Sequence, residues 1–223
     1  MAIRSRVLLV EGKEDLRVIP ELMEANGVIW RTKNTPVVHI YDYDGYENLA
    51  KPKEIETQLE ASGLTALGII IDADEDPALR WQSIRNACLQ AIPDLPEQLS
   101  PEGLIHLTAE NIKFGIWMMP DNTVRGMLET FLAYIVPDGN KALWQLAQQV
   151  SQTAKSKGAA FKDSHCDKAN IYTWLAWQDP PGRQLHDAIK QHIFKPTHPN
   201  AQQFVTWFKT LYDLPEELAF REP

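Results

Sequence analysis

Two short stretches of this sequence place carboxylates where buried strands would end. RVLLV runs directly into Glu11-Gly12-Lys13, and LGIII runs into Asp72-Ala73-Asp74-Glu75-Asp76. Open parallel sheets bind ligands in the crevice beyond the carboxyl ends of their strands, so acids at two neighbouring ends project into one place. Asp72 and Asp74 are two residues apart and share a side in extended chain. Glu11, Asp72 and Asp74 together form an oxygen-only donor set, the kind preferred by Mg²⁺ or Mn²⁺. Gly12 permits a close turn into a following helix whose N-terminus favours an anion, and Lys13 is placed to meet phosphate there. The plainer reading is that acids after buried strands cap helices. A Glu after one strand with Asp-x-Asp after another shifts the balance toward a metal.

The elements that would position these groups follow from apolar spacing. Arg4 to Val10, Val37 to Tyr41 and Leu67 to Ile71 read as strands. Asp15 to Asn26 reads as a helix, with Leu16, Ile19, Leu22 and Met23 on one face and Pro20 as a kink or its true start. Lys53 to Ala61 and Leu79 to Ile92 are further helices, with Pro77 in the first turn of the latter. Residues 93–103 are a loop. Leu104 to Leu107 and Lys113 to Met119 are two more strands, expected antiparallel to each other, and Gly126 to Ile135 is helical. Everything after Pro137 reads as helices. Alternating strands and helices specify an α/β architecture, a mainly parallel sheet flanked by helices. Residues 1–137 form this core and residues 138–223 a helical extension packed on it.

Composition sets the bounds. The 223 residues include two cysteines, which excludes a disulfide-rich scaffold and a Cys₄ zinc ribbon. No apolar run approaches the ~18 residues of a membrane span, and no signal-peptide h-region precedes Glu11, so a cytoplasmic protein away from the membrane is expected. The net charge of −8 argues against non-specific coating of nucleic acid. Its distribution is uneven: residues 1–140 hold 12 Lys and Arg against 22 Asp and Glu, whereas residues 141–209 hold 9 against 4. That split suits an acidic metal site facing a phosphate-binding flank, or ordinary surface variation.

VEGKED after the first strand and IIIDADED after the third resemble the signature of Toprim domains, a glutamate followed later by Asp-x-Asp. Toprim domains occur in topoisomerases, primases, recombination proteins and OLD-type nucleases. The chain more closely resembles a small Toprim-like family without assigned function, whose members share FGIWMMPDN, then GMLE, then a K-x-x-IYTWLA-like helix, over residues 1–190 or so. The resemblance implies a Toprim-like (Rossmann-like) fold and Mg²⁺-dependent phosphodiester chemistry on nucleic acid. It implies Glu11 as general acid or base and Asp72 and Asp74 as metal ligands. In OLD-type nucleases a lysine from a later element joins the site, and Lys168 is its counterpart by position. The chain departs from those relatives: it is too short for a topoisomerase gate, lacks the cysteines of a primase zinc domain, and has no G-x-x-x-x-G-K-[ST] for an OLD-type ATPase. It would act as a free-standing unit or with a partner protein supplying other activities.

Other features carry two readings each. Asp121-Asn122 adds a carboxylate near the metal, or Asn122 caps the next helix. Glu129 faces the site or solvent. Asp42 and Asp44 rim the crevice or form a turn around Gly45. His165 and Cys166 lack matching zinc partners. Trp174, Trp177, Trp207 and Phe208 stack bases or, at helical spacing, pack a core. Lys168 contacts phosphate or is solvated beside Asp163 and Asp167. IIIDADED also resembles a haloacid-dehalogenase-like phosphatase motif, although that motif belongs on the first strand. A non-catalytic binding or regulatory module is the third reading.

Overall fold

The structure is a computed structural model and describes residues 4–32 and 35–215. Along the chain lie β1 (Arg6–Val10), α1 (Lys13–Ala25), the short antiparallel pair β2 (Arg31–Thr32) and β3 (Thr35–Pro36), β4 (His39–Asp42), α2 (Tyr46–Leu49) and α3 (Pro52–Leu59). There follow β5 (Ala66–Asp72), α4 (Pro77–Cys88), β6 (Leu104–Leu107), β7 (Lys113–Met119) and α5 (Leu128–Tyr134). The C-terminal part holds α6 (Lys141–Ser156), α7 (Cys166–Leu175), α8 (Leu185–Lys190) and α9 (Gln202–Leu211).

Five strands form one sheet in the order β4-β1-β5-β7-β6, parallel throughout except for β6 against β7. β1 and β5 lie inside it, and their continuous aliphatic runs are buried on both faces, as central parallel strands require. Alternate residues divide between two cores. Leu8, Val10 and Ile70 pack with α1, α5 and the C-terminal helices, while Val7, Leu9, Ile69 and Ile71 pack with α3 and α4. Each fully buried Leu or Ile contributes roughly 1.5–3 kcal/mol, so both faces of the sheet are strongly held.

The C-terminal helices belong to the first of these cores. Ile171, Trp174, Phe194, Phe204 and Phe208 share one cluster with Leu8, Val10 and Trp117. The sheet makes room for α9 at paired glycines. Gly68 and Gly115 are register partners on β5 and β7, and a Cβ on either would collide with Leu211, or at Gly68 also with the Tyr212 hydroxyl. That hydroxyl donates to the Val7 carbonyl at 2.8 Å, and Trp207 Nε1 donates to Leu104 O at 2.8 Å. α9 and the residue after it are thereby stitched to β6 and β1.

Several local expectations need correction. Pro20 does not start α1, which begins at Lys13. Pro20 lies inside the helix, and the acidic residues Glu14 and Asp15 occupy its favourable first turn. The polar stretch after β4 contains the short helix α2. α4 ends at Cys88, four residues short of Ile92, and α5 starts at Leu128 rather than Gly126.

Candidate carboxylate site

Glu11 and Asp72 leave adjacent parallel strands at their carboxyl ends. The Glu11 Oε1 accepts a hydrogen bond from the Asp72 backbone N–H at 2.9 Å. Asp72 Oδ1 in turn accepts from the Leu128 N–H, the first residue of α5, at 3.0 Å. Each carboxylate keeps one oxygen outside these two bonds. Of the acids after β5, Asp76 does cap a helix, accepting from the Ala78 and Leu79 N–H groups at 3.0 Å at the start of α4. The capping explanation therefore accounts for Asp76 but not for Glu11, and Asp72 holds a helix far along the chain rather than its own.

Asp74 is set apart by its backbone. Its φ of 52° lies in the left-handed region that Asp tolerates better than most residues. It is pinned there by reciprocal 2.9 Å hydrogen bonds with Gly126, an isolated antiparallel bridge. Gly126 has φ 140°, and a Cβ would lie 2.5–2.9 Å from Thr130 atoms, so only glycine fits. The Asp74 carboxylate forms an ion pair with Arg80 of α4. The Arg80 guanidinium also lies over the Tyr46 ring, 3.8 Å from its centroid, and Tyr46 donates to Ser83 Oγ at 2.7 Å.

Two further acids complete the cluster. Asp15, on the first turn of α1, and Glu129, the second residue of α5, are both buried. Burial, reinforced by Glu11 and Glu129, pushes the Asp15 carboxyl up to about 7. Burial also raises Glu11 to about 7, against the opposing pull of the Asp72 N–H and of Arg80. The Asp72 carboxyl is held well above its usual range by burial first and then by Asp15, Glu11, Glu129 and Asp74. Crowded, desolvated carboxylates resist ionising together. Lys168 of α7 answers part of that charge: its Nζ lies 3.1 Å from Glu129 Oε1. Partial burial disfavours its charged form, yet Glu129 and then Tyr172 and Glu14 hold its pKa above the ordinary lysine value.

Asp15 is the residue that strand-end reasoning passes over. A signal for it exists: Asp15, Val18, Ile19 and Leu22 fall at i, i+3, i+4 and i+7, so an acid occupies the buried stripe of α1. Glu129 stands three residues before the buried Leu132, and of its two readings the structure gives the inward one.

Gly12 is extended (φ −145°), and a Cβ there would make ordinary contact, so no glycine-only turn exists at this position. Lys13 is exposed at the first position of α1. Asn122 does not cap α5: its Oδ1 accepts from the Met118 N–H at 2.7 Å and its Nδ2 donates to Pro101 O at 3.0 Å, closing the turn after β7. Asp121 is engaged by Thr123, Val124 and the Tyr134 hydroxyl. The loop after β4 does reach the site, where the Gly45 N–H donates to Glu11 O at 2.8 Å and Asp44 takes a left-handed φ. Trp174, Trp207 and Phe208 are buried core residues, with Trp177 partly exposed.

The donor chemistry fits a hard divalent cation: oxygen atoms only, in a desolvated cluster whose mutual repulsion a cation would relieve. The closure is incomplete. Among the described residues no three His, Cys, Asp or Glu side chains already stand together in a metal-holding arrangement. Glu11 and Asp72 are joined, while the Asp74 carboxylate is turned toward Arg80. Among the described residues, no helix is long and apolar enough to cross a membrane.

Two solved structures of the C-terminal region of the Xanthomonas campestris pv. campestris OLD protein, one phased with mercury and one with iodine, are similar to this chain. They share 14% and 13% identity with it, at TM-scores of 0.47 and 0.48, and each comparison covers 96% of this chain and 98% of that one. A comparison with curated proteins returns no match. A family model matches residues 5–213, and the chain belongs to that family, described as "Protein of unknown function (DUF3226)".

Proposed function

We propose that this protein carries out Mg²⁺- or Mn²⁺-dependent phosphodiester cleavage in nucleic acid, as a nuclease-like enzyme. The observation that supports the reading is the crowding of Glu11 and Asp72 with the buried Asp15 and Glu129 at the carboxyl end of a parallel sheet, with Asp74 beside them on Arg80. Glu11 and Asp72, and Asp74 once turned from Arg80, would hold the ion. A bound divalent ion supplies Lewis-acid stabilisation of charge developing on a phosphate. The one Glu11 oxygen not taken by the Asp72 N–H would serve either the ion or a proton at any moment: without the ion its proton affinity lies near neutrality, which suits it to hold or move a proton as general acid or base. Lys168, positioned by Glu129 with its side chain 45% exposed, presents a positive charge that a phosphate oxygen can meet. Lys13 at the N-terminus of α1 adds a second such charge. The chain works either alone or beside a partner protein supplying other activities.

The test is incubation of the purified chain with single- and double-stranded DNA and RNA, with Mg²⁺ or Mn²⁺. Metal-dependent cleavage that is lost in Glu11→Gln and Asp72→Asn supports the reading. Hydrolysis of para-nitrophenyl phosphate without nucleic-acid cleavage replaces it with the phosphatase reading. Nucleic-acid binding or metal binding without any hydrolysis replaces it with a binding or regulatory module.

A further inference from the structure

Arg80 holds a place that the acidic cluster would otherwise offer to a cation. It reaches in from α4, pairs with Asp74, and its side chain is only 15% exposed while that of Asp74 is 46% exposed. Tyr46 supports the guanidinium from below, and its own hydroxyl is fixed by Ser83, so the arginine is held in place rather than trailing in solvent. Its charge is also felt by Glu11, where it favours the ionised form. The backbone of Asp74 is pinned by Gly126 on both its N–H and C=O. With the backbone held in this way, the side-chain torsions are what is left to redirect the Asp74 carboxylate away from Arg80. Among the described residues the acids do not stand as a closed ligand set, and Asp74 is the one paired with Arg80.

We propose that Arg80 is the cluster's resident cation, which a divalent ion must displace from Asp74, so that metal binding and release of Arg80 are a single exchange. The inference rests on the metal reading above and adds to it a competitor within the chain. Once released, the guanidinium remains beside the crevice on its Tyr46 support, where it can meet an anionic oxygen of a bound phosphate.

Two measurements on the full chain test this. In calorimetric titration with Mn²⁺, Arg80→Gln is expected to bind about twofold to fivefold more tightly than the wild type, the size of one partly exposed ion pair lost as a competitor. Arg80→Lys, which keeps the charge without the planar stack on Tyr46, is expected to fall between the two. In ¹⁵N-labelled wild type, the Arg80 Nε–H resonance is expected to shift on saturation with Mg²⁺ and to stay in place in Asp74→Asn. Equal or weaker Mn²⁺ affinity in a folded Arg80→Gln overturns the exchange and leaves the metal reading standing. An Arg80 resonance unmoved at saturating Mg²⁺ does the same, and it decides the matter if Arg80→Gln fails to fold. Absence of Mn²⁺ binding by both proteins overturns the exchange together with the metal reading.

Discussion

The Asp72 backbone N–H donates to the Glu11 side chain across the β1–β5 boundary at 2.9 Å. A strand-end glutamate is thereby bound to the very residue whose own carboxylate holds α5 through the Leu128 N–H at 3.0 Å. The two acids are consequently parts of one short chain of hydrogen bonds linking β1, β5 and α5. These hydrogen bonds hold the two acids side by side, and a bound ion would act chiefly on their charge.

That charge makes metal binding visible as stability. An ion bound only by the folded state at ten times its Kd adds about 1.4 kcal/mol. For a chain of this size this corresponds to a rise in Tm of about 3–6 °C. Wild type is expected to show such a rise with millimolar Mn²⁺, and Asp72→Asn is expected to show none. Equal shifts in both proteins, read by differential scanning fluorimetry, would remove Asp72 from the metal site.

The pH dependence of stability follows from Asp15 and Glu11. Both carboxyls sit at about 7 in the folded protein, above their unfolded values of 3.8 and 4.5. The folded state thus binds their protons more tightly than the unfolded chain does. Their contribution is fully present at pH values below the unfolded pKa and is lost as pH rises through about 7. Metal-free wild type is expected to lose stability between pH 5 and pH 8 relative to Asp15→Asn, which cannot ionise there. Urea denaturation of both proteins at the two pH values checks this. A difference between them that does not grow with pH contradicts it.

Lys168 and Glu129 separate a structural from a functional role. Glu129 is 5% exposed at its side chain and Lys168 is 45% exposed, so the pair is screened on one side only. Lys168→Met is expected to cost about 1 kcal/mol, near the upper end for an exposed pair. Lys168→Met/Glu129→Gln is expected to recover much of that loss, because the buried charge goes with its partner. If cleavage activity returns along with stability in the double variant, Lys168 serves only to neutralise Glu129.

The seat of α9 predicts a larger effect. Gly68→Val puts a Cβ against Leu211 and the Tyr212 hydroxyl and two methyl groups beyond it, and overpacking of this kind costs about 1–3 kcal/mol. Tyr212→Phe leaves the Val7 carbonyl without that donor in a buried setting, at a cost of about 1–3 kcal/mol. Chemical denaturation of each variant measures both. A wild-type midpoint in Gly68→Val would mean that α9 does not press on the sheet as described.

The strand-and-helix order was legible from residue types alone, because a buried parallel strand must be a short continuous aliphatic run. RVLLV and ALGIIID are such runs, and each stops abruptly at an acid. The antiparallel partnership of Leu104–Leu107 with Lys113–Met119 was legible too, since so short a connection allows no parallel crossover. Glu11 and Asp72 stood out for the same reason: a carboxylate at the mouth of a buried strand is conspicuous in one dimension. Asp15 and Glu129 were harder to read. Their burial depends on what packs over α1 and α5, and only Asp15's place on an apolar stripe hinted at it. The pairing of Asp74 with Arg80, the bridge from Asp74 to Gly126, and the approach of Lys168 to Glu129 were decided by tertiary structure. The bridge and the Lys168–Glu129 pair join segments far apart along the chain, whereas Asp74 and Arg80 are six residues apart and meet only because the left-handed backbone at Asp74 and the packing of α4 set the two side-chain directions.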